Sequence, residues 1–332
     1  MPRRILFVVH AGEGVGLGHL TRSLVGARSL ALRLGAKVDF VAVGQQVDDT
    51  FCKEFEVHCS ITHGPIDVVV HQLTKNNQYS AICLDLFNSF LSKTLGLVLE
   101  NVRKTGCKIV AIDSLFGLEG LIDLLYVPSF LRPTYVESSE FRGRLAYGWD
   151  AYLLNIKVQD QAPKHSGSIL ALTGGSDVTQ LGKYWPEVLH KCLPLSSVVH
   201  WVTGPFSQRP ILPDSSSIEF VEHVAPAGLT SLMQGVQAAV TVYGVSFFEL
   251  IALGVPTVVF SPYGGKDSRE LREIADQRIA LVAQDARDAA DQVTRLIKDS
   301  NLRAKLSSHA RGKLKNFDGE YFAAEVGLLF AA

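Results

Sequence analysis

The chain has 332 residues, a formal net charge of −1, 47% hydrophobic residues and 20% charged residues. This length is enough for two domains of roughly 150 residues each. The nearly neutral charge provides no global field for nucleic acid or an anionic membrane. No apolar run reaches the roughly 18 residues of a transmembrane helix. The first residues lead straight into a predicted strand, so no signal peptide is expected. None of the five cysteines forms a Cys-x-x-Cys pair, so we expect a reduced, cytoplasmic protein.

The first half of the sequence alternates strand and helix patterns. A helix is predicted over 19–34, because Leu20, Leu24 and Ala27 recur on one stripe. The strands are predicted from near-continuous apolar runs. Such runs are typical of parallel sheets that are covered on both faces. These runs lie at 4–9, 38–43, 66–70, 81–85, 108–112 and 123–127.

Between 150 and 167 the pattern lapses into a polar stretch that contains Pro163 and Gly167, which indicates an interdomain linker. Strands are then predicted at 168–172, 197–203, 218–222, 237–242 and 256–260, with a helix ending near 192 and further helices at 267–276, 286–299, 301–315 and 318–331.

The prediction is thus an α/β protein with an N-terminal domain over 1–155 and a C-terminal domain over 168–316. A C-terminal helix is predicted over 317–332. In one arrangement, this helix packs back on the N-terminal domain. Two doubly wound domains that face each other leave a cleft lined by the carboxyl ends of their strands, where ligands bind in this class of sheet.

The stretch from Gly16 to Arg22 is the first candidate site. Gly16 and Gly18 allow backbone N–H groups to approach an anionic ligand at the start of a helix. His19 at that point can act as a base, and Arg22 shares its helix face. The alternative is a histidine that only caps or packs. Gly-x-Gly alone is weak evidence, and the full dinucleotide fingerprint is missing.

A second Gly-containing turn, from Thr173 to Asp177, follows a predicted strand. Gly174, Gly175 and Ser176 can present N–H groups and a hydroxyl to phosphate oxygens. The alternative is a strand-to-helix turn in which Asp177 is the N-cap. Both interpretations can hold together.

A third turn begins at Gly244 and continues into a predicted helix. Free N–H groups at 245–247 could face a phosphate, with Val245 and Ser246 among them. Glu249 could then bind the two hydroxyls of a ribose. The alternative is a capping box made by Ser246 and Glu249.

The fourth candidate lies between Ser261 and Glu270. Its charged and polar side chains could contact sugar hydroxyls or phosphate, and the alternative is a glycine turn with an Asp N-cap. Asp85 and Asp113 end apolar strands, where each is either an acid/base partner or a common turn residue. An irregular region before the linker contains the aromatic residues Phe116, Tyr126, Phe130, Tyr135 and Phe141. We expect these side chains to hold loops in place by packing, and the alternative is that they line an acceptor pocket.

Several signatures are missing from the sequence. There is no Asp-x-Asp, no His-Glu-x-x-His and no Cys/His cluster, so no metal site and no cofactor are predicted. Helix N-termini and basic residues would then compensate the negative charge of a bound diphosphate. The Gly-x-Ser-x-Gly elbow of serine hydrolases is also missing.

Taken together, Gly16 to His19, Thr173 to Ser176 and Gly244 to Pro256 resemble the GT-B group of nucleotide-sugar enzymes. One similar branch is the lipid-linked peptidoglycan N-acetylglucosaminyltransferase. The other is the spore coat polysaccharide and pseudaminic-acid branch, which includes a UDP-sugar hydrolase and is closer in its Gly-x-Gly-His-x-x-Arg spacing. The resemblance implies two Rossmann-like domains facing a cleft, with nucleotide in the C-terminal domain and acceptor in the N-terminal domain. It also implies a reaction without a metal ion in which the configuration at the anomeric carbon is inverted.

Carried over residue by residue, the resemblance implies that His19 is the base and that Ser176 and Ser246 face the diphosphate. It implies that Glu249 binds the ribose and that Ser268 or Arg269 contacts the donor sugar. The nucleobase would lie along the backbone at 221–224, which includes Val224. The sequence departs from the hydrolase pattern at Phe87, where that pattern has Tyr in Asp-x-Tyr. Asp113 also lacks a second neighbouring Asp. These departures favour transfer to an organic acceptor.

The sequence therefore predicts an inverting, metal-independent glycosyltransferase that uses a nucleotide-diphosphate sugar, with UDP as the expected nucleotide. His19 would deprotonate a hydroxyl on a small-molecule or glycan acceptor with Asp85 as its catalytic partner, while Arg22 and Asp113 lie on the acceptor side. The expected role is polysaccharide or natural-product biosynthesis. The alternatives are a UDP-sugar hydrolase that activates water with His19 and an inactive nucleotide-sugar-binding protein. A dinucleotide-dependent redox enzyme is disfavoured by the incomplete fingerprint.

Overall fold

The computed structural model describes residues 2–12, 15, 17–44, 52, 55, 57–92, 94–138, 141–156, 167–215, 217–226 and 228–331. The chain divides into two compact units. Unit 1 comprises Met1–Asn155 and Asn316–Ala332, and unit 2 comprises Ile156–Lys315. Within the described residues, no helix has both the length and the apolar character needed to cross a membrane.

Unit 1 is built on a seven-stranded sheet whose strands are parallel. Its elements are β1 (Arg4–His10), α1 (Gly18–Leu34), β2 (Lys37–Val43), β3 (Cys59–Thr62), α2 (Ile66–Lys75), β4 (Ala81–Asp85), α3 (Leu95–Lys104), β5 (Lys108–Ile112), β6 (Leu124–Tyr126), β7 (Arg144–Ala146) and, near the end of the chain, α10 (Glu320–Leu328). The strand order is β3-β2-β1-β4-β5-β6-β7, so the direction of winding reverses between β1 and β4.

The apolar stripe of α1 packs onto one face of this sheet. Leu20, Leu24 and Ala27 are fully buried there. Gly26 lies where α10 crosses α1, and a Cβ atom added to it would be 3.0 Å from the ring of Phe322. The small residue at this position therefore lets the last helix of the chain complete the core of unit 1.

Unit 2 has a six-stranded parallel sheet with the order β10-β9-β8-β11-β12-β13. Its elements are β8 (Ile169–Leu172), α4 (Trp185–Cys192), β9 (Val198–Thr203), β10 (Glu219–Val224), α5 (Thr230–Gln234), β11 (Ala238–Val242), α6 (Val245–Leu253), β12 (Thr257–Phe260), α7 (Ser268–Asp276), β13 (Leu281–Val282), α8 (Ala286–Lys298) and α9 (Ser300–Arg311). The winding reverses between β8 and β11, the same place in the topology as in unit 1.

The predicted class, two doubly wound α/β sheets, is confirmed, but the predicted strand at 66–70 is wrong. This segment is the first part of α2, which follows Pro65 at its N-cap. Three consecutive valines mimic a strand, yet the buried residues are Ile66, Val69 and Val70, which share one helix face. Strands β3, β7 and β13 have no counterpart among the predicted strands.

Candidate active site

The winding reversal of unit 1 brings two predicted site residues to the same sheet edge. His19 lies in the first turn of α1, shortly after β1, and Asp85 is the last residue of β4. Strands β1 and β4 are parallel neighbours. Ligands of doubly wound sheets bind outside the carboxyl ends of the strands at such a reversal. Gly18 is the first residue of α1, whereas Gly16 lies outside the described residues.

The Asp85 carboxylate is fully buried and receives donors from three residues of α1. His19 Nδ1 lies 2.5 Å from Oδ1. Arg22 donates from Nε to Oδ2 over 2.7 Å and from Nη2 to Oδ1 over 2.6 Å. The Ser23 hydroxyl donates to Oδ2 over 2.9 Å. These residues follow i, i+3, i+4 spacing, which places them together on one side of the helix.

Burial by itself raises the pKa of Asp85, but the charge and hydrogen bonds of Arg22 and His19 outweigh it and lower that pKa to about 2. The carboxylate is therefore ionised and can only accept hydrogen bonds. His19 Nδ1 must then carry the proton of their short contact. Arg22 Nη2 lies 3.2 Å from the same nitrogen without forming a second bond, since both groups are donors.

This arrangement assigns the basic position of the ring to Nε2. In the neutral imidazole only one nitrogen carries hydrogen, so protonated Nδ1 leaves the Nε2 lone pair available. No hydrogen bond among the described residues engages Nε2. A carboxylate behind Nδ1 also stabilises the imidazolium that forms once Nε2 has taken a proton. The site can therefore act as a general base.

Asp113 lies beside this group, just after β5. Its backbone is left-handed, with φ of 45°. The Tyr135 hydroxyl donates to Oδ1 over 3.5 Å. Burial raises the pKa of Asp113, Asp85 adds to that rise, and Arg22 opposes it. The structure thus brings together the four residues that the sequence assigned to catalysis and to the acceptor side.

An apolar ring also flanks His19. The Phe87 ring meets the imidazole edge-on, with centroids 6.3 Å apart. Its backbone N–H donates to Nδ1 of His10, the last residue of β1, over 2.9 Å. Burial and the neighbouring His19 lower the pKa of His10 to about 4, so this imidazole is neutral and can accept that bond. His10 therefore anchors Phe87 in its position beside His19.

At the reversal of unit 2, the turn after β8 approaches other backbone closely. Gly174 has φ of 88°, a conformation that favours glycine. A Cβ atom on Gly204 would lie 2.4 Å from the carbonyl oxygen of Gly175. The N–H groups of Gly175 and Ser176 donate to no group within the described residues. Asp177 accepts from two backbone N–H groups of the 3-10 turn Leu181–Lys183, at 2.9 and 2.8 Å, so its side chain holds the turn itself.

The next turn lies beside the first, because β11 pairs with β8. Helix α6 begins at Val245 with Gly244 as its N-cap, and no side chain caps it. The alternative interpretation, a capping box made by Ser246 and Glu249, is therefore wrong, since Ser246 is already the second helical residue. The prediction of three free N–H groups at 245–247 is also wrong for Phe247, which donates to the Gly244 carbonyl over 3.1 Å.

The Glu249 carboxylate differs from that of Asp85. It is half-buried on the first turns of α6, and burial raises the pKa of Glu249 to about 7. No ion pair or hydrogen bond from the described residues offsets this effect. A carboxylate at this position, with no partner in the described part of the chain, is available to a ligand.

The fourth candidate turn is held by its own side chains. The Ser261 hydroxyl donates to Asp267 Oδ2 over 2.5 Å, and the Ser268 hydroxyl donates to the Gly265 carbonyl over 2.8 Å. Ser268 and Arg269 are exposed in the first turn of α7. Val224, the last residue of β10, is 54% exposed. Within the described chain, no group of three or more His, Cys, Asp or Glu residues is placed to hold a metal ion.

The sequence did not single out Ser23 or His10. The signal for Ser23 was present, because it lies four residues after His19 and so on the same helix side. His10 gave no such signal, since its role depends on a backbone N–H from another loop. Of the aromatic region before the linker, Tyr126 is buried in the core. Phe130 is also buried and stacks on Trp149, whereas Tyr135 reaches the site.

The two units have the GT-B fold, in common with the solved structures that are similar to this chain. The chain matches no protein-family model and no curated protein sequence. MurG of Acinetobacter baumannii is similar over 100% of both chains, with a TM-score of 0.66 and 14% identity. UGT2 of Phytolacca americana, in complex with UDP-2-fluoro-glucose and pterostilbene, is similar over 100% of both chains, with a TM-score of 0.65 and 15% identity. The glycotransferase of kitacinnamycin is similar over 98% of both chains, with a TM-score of 0.66 and 16% identity. At these identities the similarity shows the fold alone.

Proposed function

We propose that the protein is an inverting glycosyltransferase that moves a sugar from a UDP-linked donor to a hydroxyl-bearing acceptor, with His19 as general base. The observation that carries this proposal is the short contact between His19 Nδ1 and the ionised Asp85 at the winding reversal of unit 1. This contact makes Nε2 the basic nitrogen. A role in polysaccharide or natural-product biosynthesis in the cytoplasm belongs to the same proposal.

In the proposed reaction, His19 Nε2 removes the proton of the acceptor hydroxyl. The acceptor oxygen then forms a bond to the anomeric carbon while the bond from that carbon to the diphosphate oxygen breaks. The electron pair leaves with UDP, and a single displacement inverts the configuration. Asp85 stabilises the imidazolium until it releases the proton. Arg22 keeps Asp85 ionised and so acts as a positioning residue.

Unit 2 supplies the donor site in this proposal. N–H groups of Gly175, Ser176, Val245 and Ser246 are oriented before the reaction and can stabilise the charge of the leaving diphosphate. Glu249 accepts hydrogen bonds from the ribose hydroxyls. Ser268 or Arg269 contacts the donor sugar, and the backbone near Val224 contacts the nucleobase. The presence of UDP-2-fluoro-glucose in UGT2, which has the same fold, supports the choice of a UDP-sugar.

The test is the His19→Ala variant with a UDP-sugar and an accepted acceptor. Loss of a positioned base lowers turnover by about 10²–10⁴-fold, while UDP affinity stays within a few fold. His71→Ala is the matched control, because His71 is an exposed residue of α2 in the same unit. Unchanged turnover in His19→Ala would show that another group is the base.

Two control reactions separate the proposal from its alternatives. Prompt release of UDP and free sugar without an acceptor would identify a hydrolase. Thermal stabilisation by UDP-sugars, without product after long incubation, would identify a binding protein. The Phe87 ring beside His19 favours an organic acceptor, because an apolar face next to the base is poorly suited to orienting water.

A further inference from the structure

We propose that unit 1 contains a second ligand site, for a small phosphate-bearing molecule, at the edge of its sheet opposite to His19. The site is a cavity of about 560 Å³ between the starts of β1, β4 and β5 and the residues that follow α10. Its lining includes Arg3, Arg4, Ser80, Lys108 and Phe330, and it is here called the basic cavity.

The basic cavity is separate from the candidate active site. Arg4 is the first residue of β1, and Lys108 is the first residue of β5. The seven-residue strand β1 carries the chain about 20 Å from Arg4 to His10, which lies at the edge of the candidate active site. A ligand in the basic cavity is therefore a further ligand, and this inference does not depend on the proposed function.

Backbone hydrogen bonds fix the cationic residues relative to one another. The Ser80 N–H donates to the Arg4 carbonyl over 2.8 Å, and the Lys108 N–H donates to the Ser80 carbonyl over 3.0 Å. Strands β1, β4 and β5 are consecutive in the sheet, so the backbones of Arg4 and Lys108 are held about 10 Å apart. At this spacing, long side chains can approach one small ligand from two sides.

Two positive charges at the cavity are not compensated. The side chains of Arg3 and Lys108 form no hydrogen bond or ion pair with the described residues. The Arg3 guanidinium lies over the Phe330 ring, 4.6 Å from the ring centroid. This contact orients the guanidinium through its face and leaves its N–H groups available to an anion.

Arg4 has a different position in the charge balance. Its Nε donates to Asp39 over 2.6 Å and its Nη1 donates to Asn77 over 2.8 Å, whereas Nη2 has no partner in the described part of the chain. The ion pair with Asp39 neutralises the charge of Arg4. No Asp or Glu belongs to the described lining of the cavity, so the positive charges of Arg3 and Lys108 remain in excess.

This excess charge and the shape of the cavity indicate the class of ligand. A phosphate monoester carries about −1.5 to −2 charges at neutral pH and three oxygens that accept hydrogen bonds, which matches two cations from different strands. The volume lies within the range of about 300–1,000 Å³ of small-molecule sites. The chain as a whole has a net charge of −1, so it lacks the broad positive field that favours nucleic acid or an anionic membrane.

The experiment uses phenyl phosphate as the probe and benzyl alcohol as a ring without the phosphate. Calorimetry measures the binding of each, with UDP present to occupy the proposed donor site. Lysine acetylation followed by peptide mass spectrometry then locates the bound probe. At about ten times its Kd, phenyl phosphate should slow the acetylation of Lys108 about tenfold. Lys104, which is exposed on the last turn of α3 and outside the cavity, should change by less than about twofold.

Variants assign the binding to individual side chains. Arg3→Ala and Lys108→Ala should each weaken the affinity for phenyl phosphate about tenfold or more, because each removes a charge-assisted hydrogen bond. Arg3→Lys keeps the charge and loses the planar fork, so the expected loss is about threefold. Lys104→Ala is the matched control, with the same change of charge at the same edge of the sheet, and should change the affinity by less than about twofold.

The contrary outcomes are distinct. Equal losses in Lys104→Ala and Lys108→Ala would show diffuse attraction and overturn the site, as would equal binding of benzyl alcohol or the lack of saturable binding. Binding to phosphatidylglycerol vesicles without binding of phenyl phosphate would overturn it in favour of a membrane surface. His19→Ala should retain the binding of phenyl phosphate, so this inference and the proposed function can fail independently.

Discussion

The two winding reversals have the same topology and are completed in opposite ways. In unit 1, Asp85 is buried and surrounded by donors from His19, Arg22 and Ser23. In unit 2, Glu249 is half-buried and has no partner among the described residues. Their pKa values move apart accordingly, to about 2 for Asp85 and to about 7 for Glu249.

Under the proposed function, this difference is the one between a site built for chemistry and a site built for binding. A base must be oriented before the substrate arrives, so its carboxylate partner is fully satisfied by the protein. A group that holds a ligand keeps its bonding capacity free until the ligand supplies the partners. Under the proposed function, unit 1 is therefore preorganised, and unit 2 is completed by the nucleotide.

The largest expected effect comes from Asp85→Asn. The amide removes the charge that fixes the His19 tautomer and leaves Arg22 buried without its partner. We expect turnover to fall about 10³-fold and the protein to lose about 3–5 kcal/mol of stability. Single-turnover kinetics on folded protein separates the two effects.

Ser23→Ala is the matched control for that variant. It removes one neutral donor to Asp85 and keeps the carboxylate, His19 and Arg22. Turnover should change by less than about tenfold, in line with the roughly 1 kcal/mol of an ordinary hydrogen bond. Equal losses in both variants would mean that Asp85 acts through packing alone.

The second prediction concerns stability and pH at Glu249. A carboxyl with a raised pKa in the folded state favours folding only while it is protonated. Ionised Glu249 therefore lowers the free energy of unfolding. This loss begins as pH rises above the pKa of Glu in the unfolded chain, near 4.3, and grows until pH passes the pKa of Glu249 in the folded protein, about 7. Glu249→Gln should therefore be more stable than the parent by up to about 3 kcal/mol at pH 8 and nearly equal to it at pH 4.5.

Urea unfolding followed by tryptophan fluorescence measures this difference. Trp185 and Trp201 are both buried in unit 2, so Trp149→Phe in both proteins confines the signal to that unit.

Asp85 gives the contrasting case, because its lowered pKa adds stability that is present above pH 4 and is lost only as pH falls through about 2. A stability difference at Glu249 that does not change with pH would contradict an unpartnered carboxyl.

The smallest effect is on nucleotide affinity. If the ribose hydroxyls donate to ionised Glu249, UDP should bind about tenfold more tightly at pH 8 than at pH 6, beyond the contribution of UDP itself. Glu249→Gln should lack this extra dependence, so the affinity ratio of the two proteins isolates it. Calorimetry at both pH values provides the measurement. Parallel pH profiles would remove Glu249 from the nucleotide site.

The sequence predicted much of the fold because buried parallel strands are apolar runs and helices carry an apolar stripe. It failed at 66–70, where valines filled a helix face and imitated a strand. Within the site, His19 and Arg22 could be paired from helix spacing, and Asp85 from its position at a strand end. The roles of His10 and Tyr135 could not be predicted, because they depend on loops that meet only in the folded unit.

The sequence by itself determined the two α/β halves, the Gly-rich turns after their first strands and a histidine at the start of the first helix. These are local properties, set by hydrophobic period and by backbone conformations that only certain residues adopt easily. The tertiary structure decided which nitrogen of His19 is basic, why Glu249 is not part of a capping box and which rings surround the base. Those properties follow from burial and from partners far apart in the chain, and neither is encoded in the spacing of neighbouring residues.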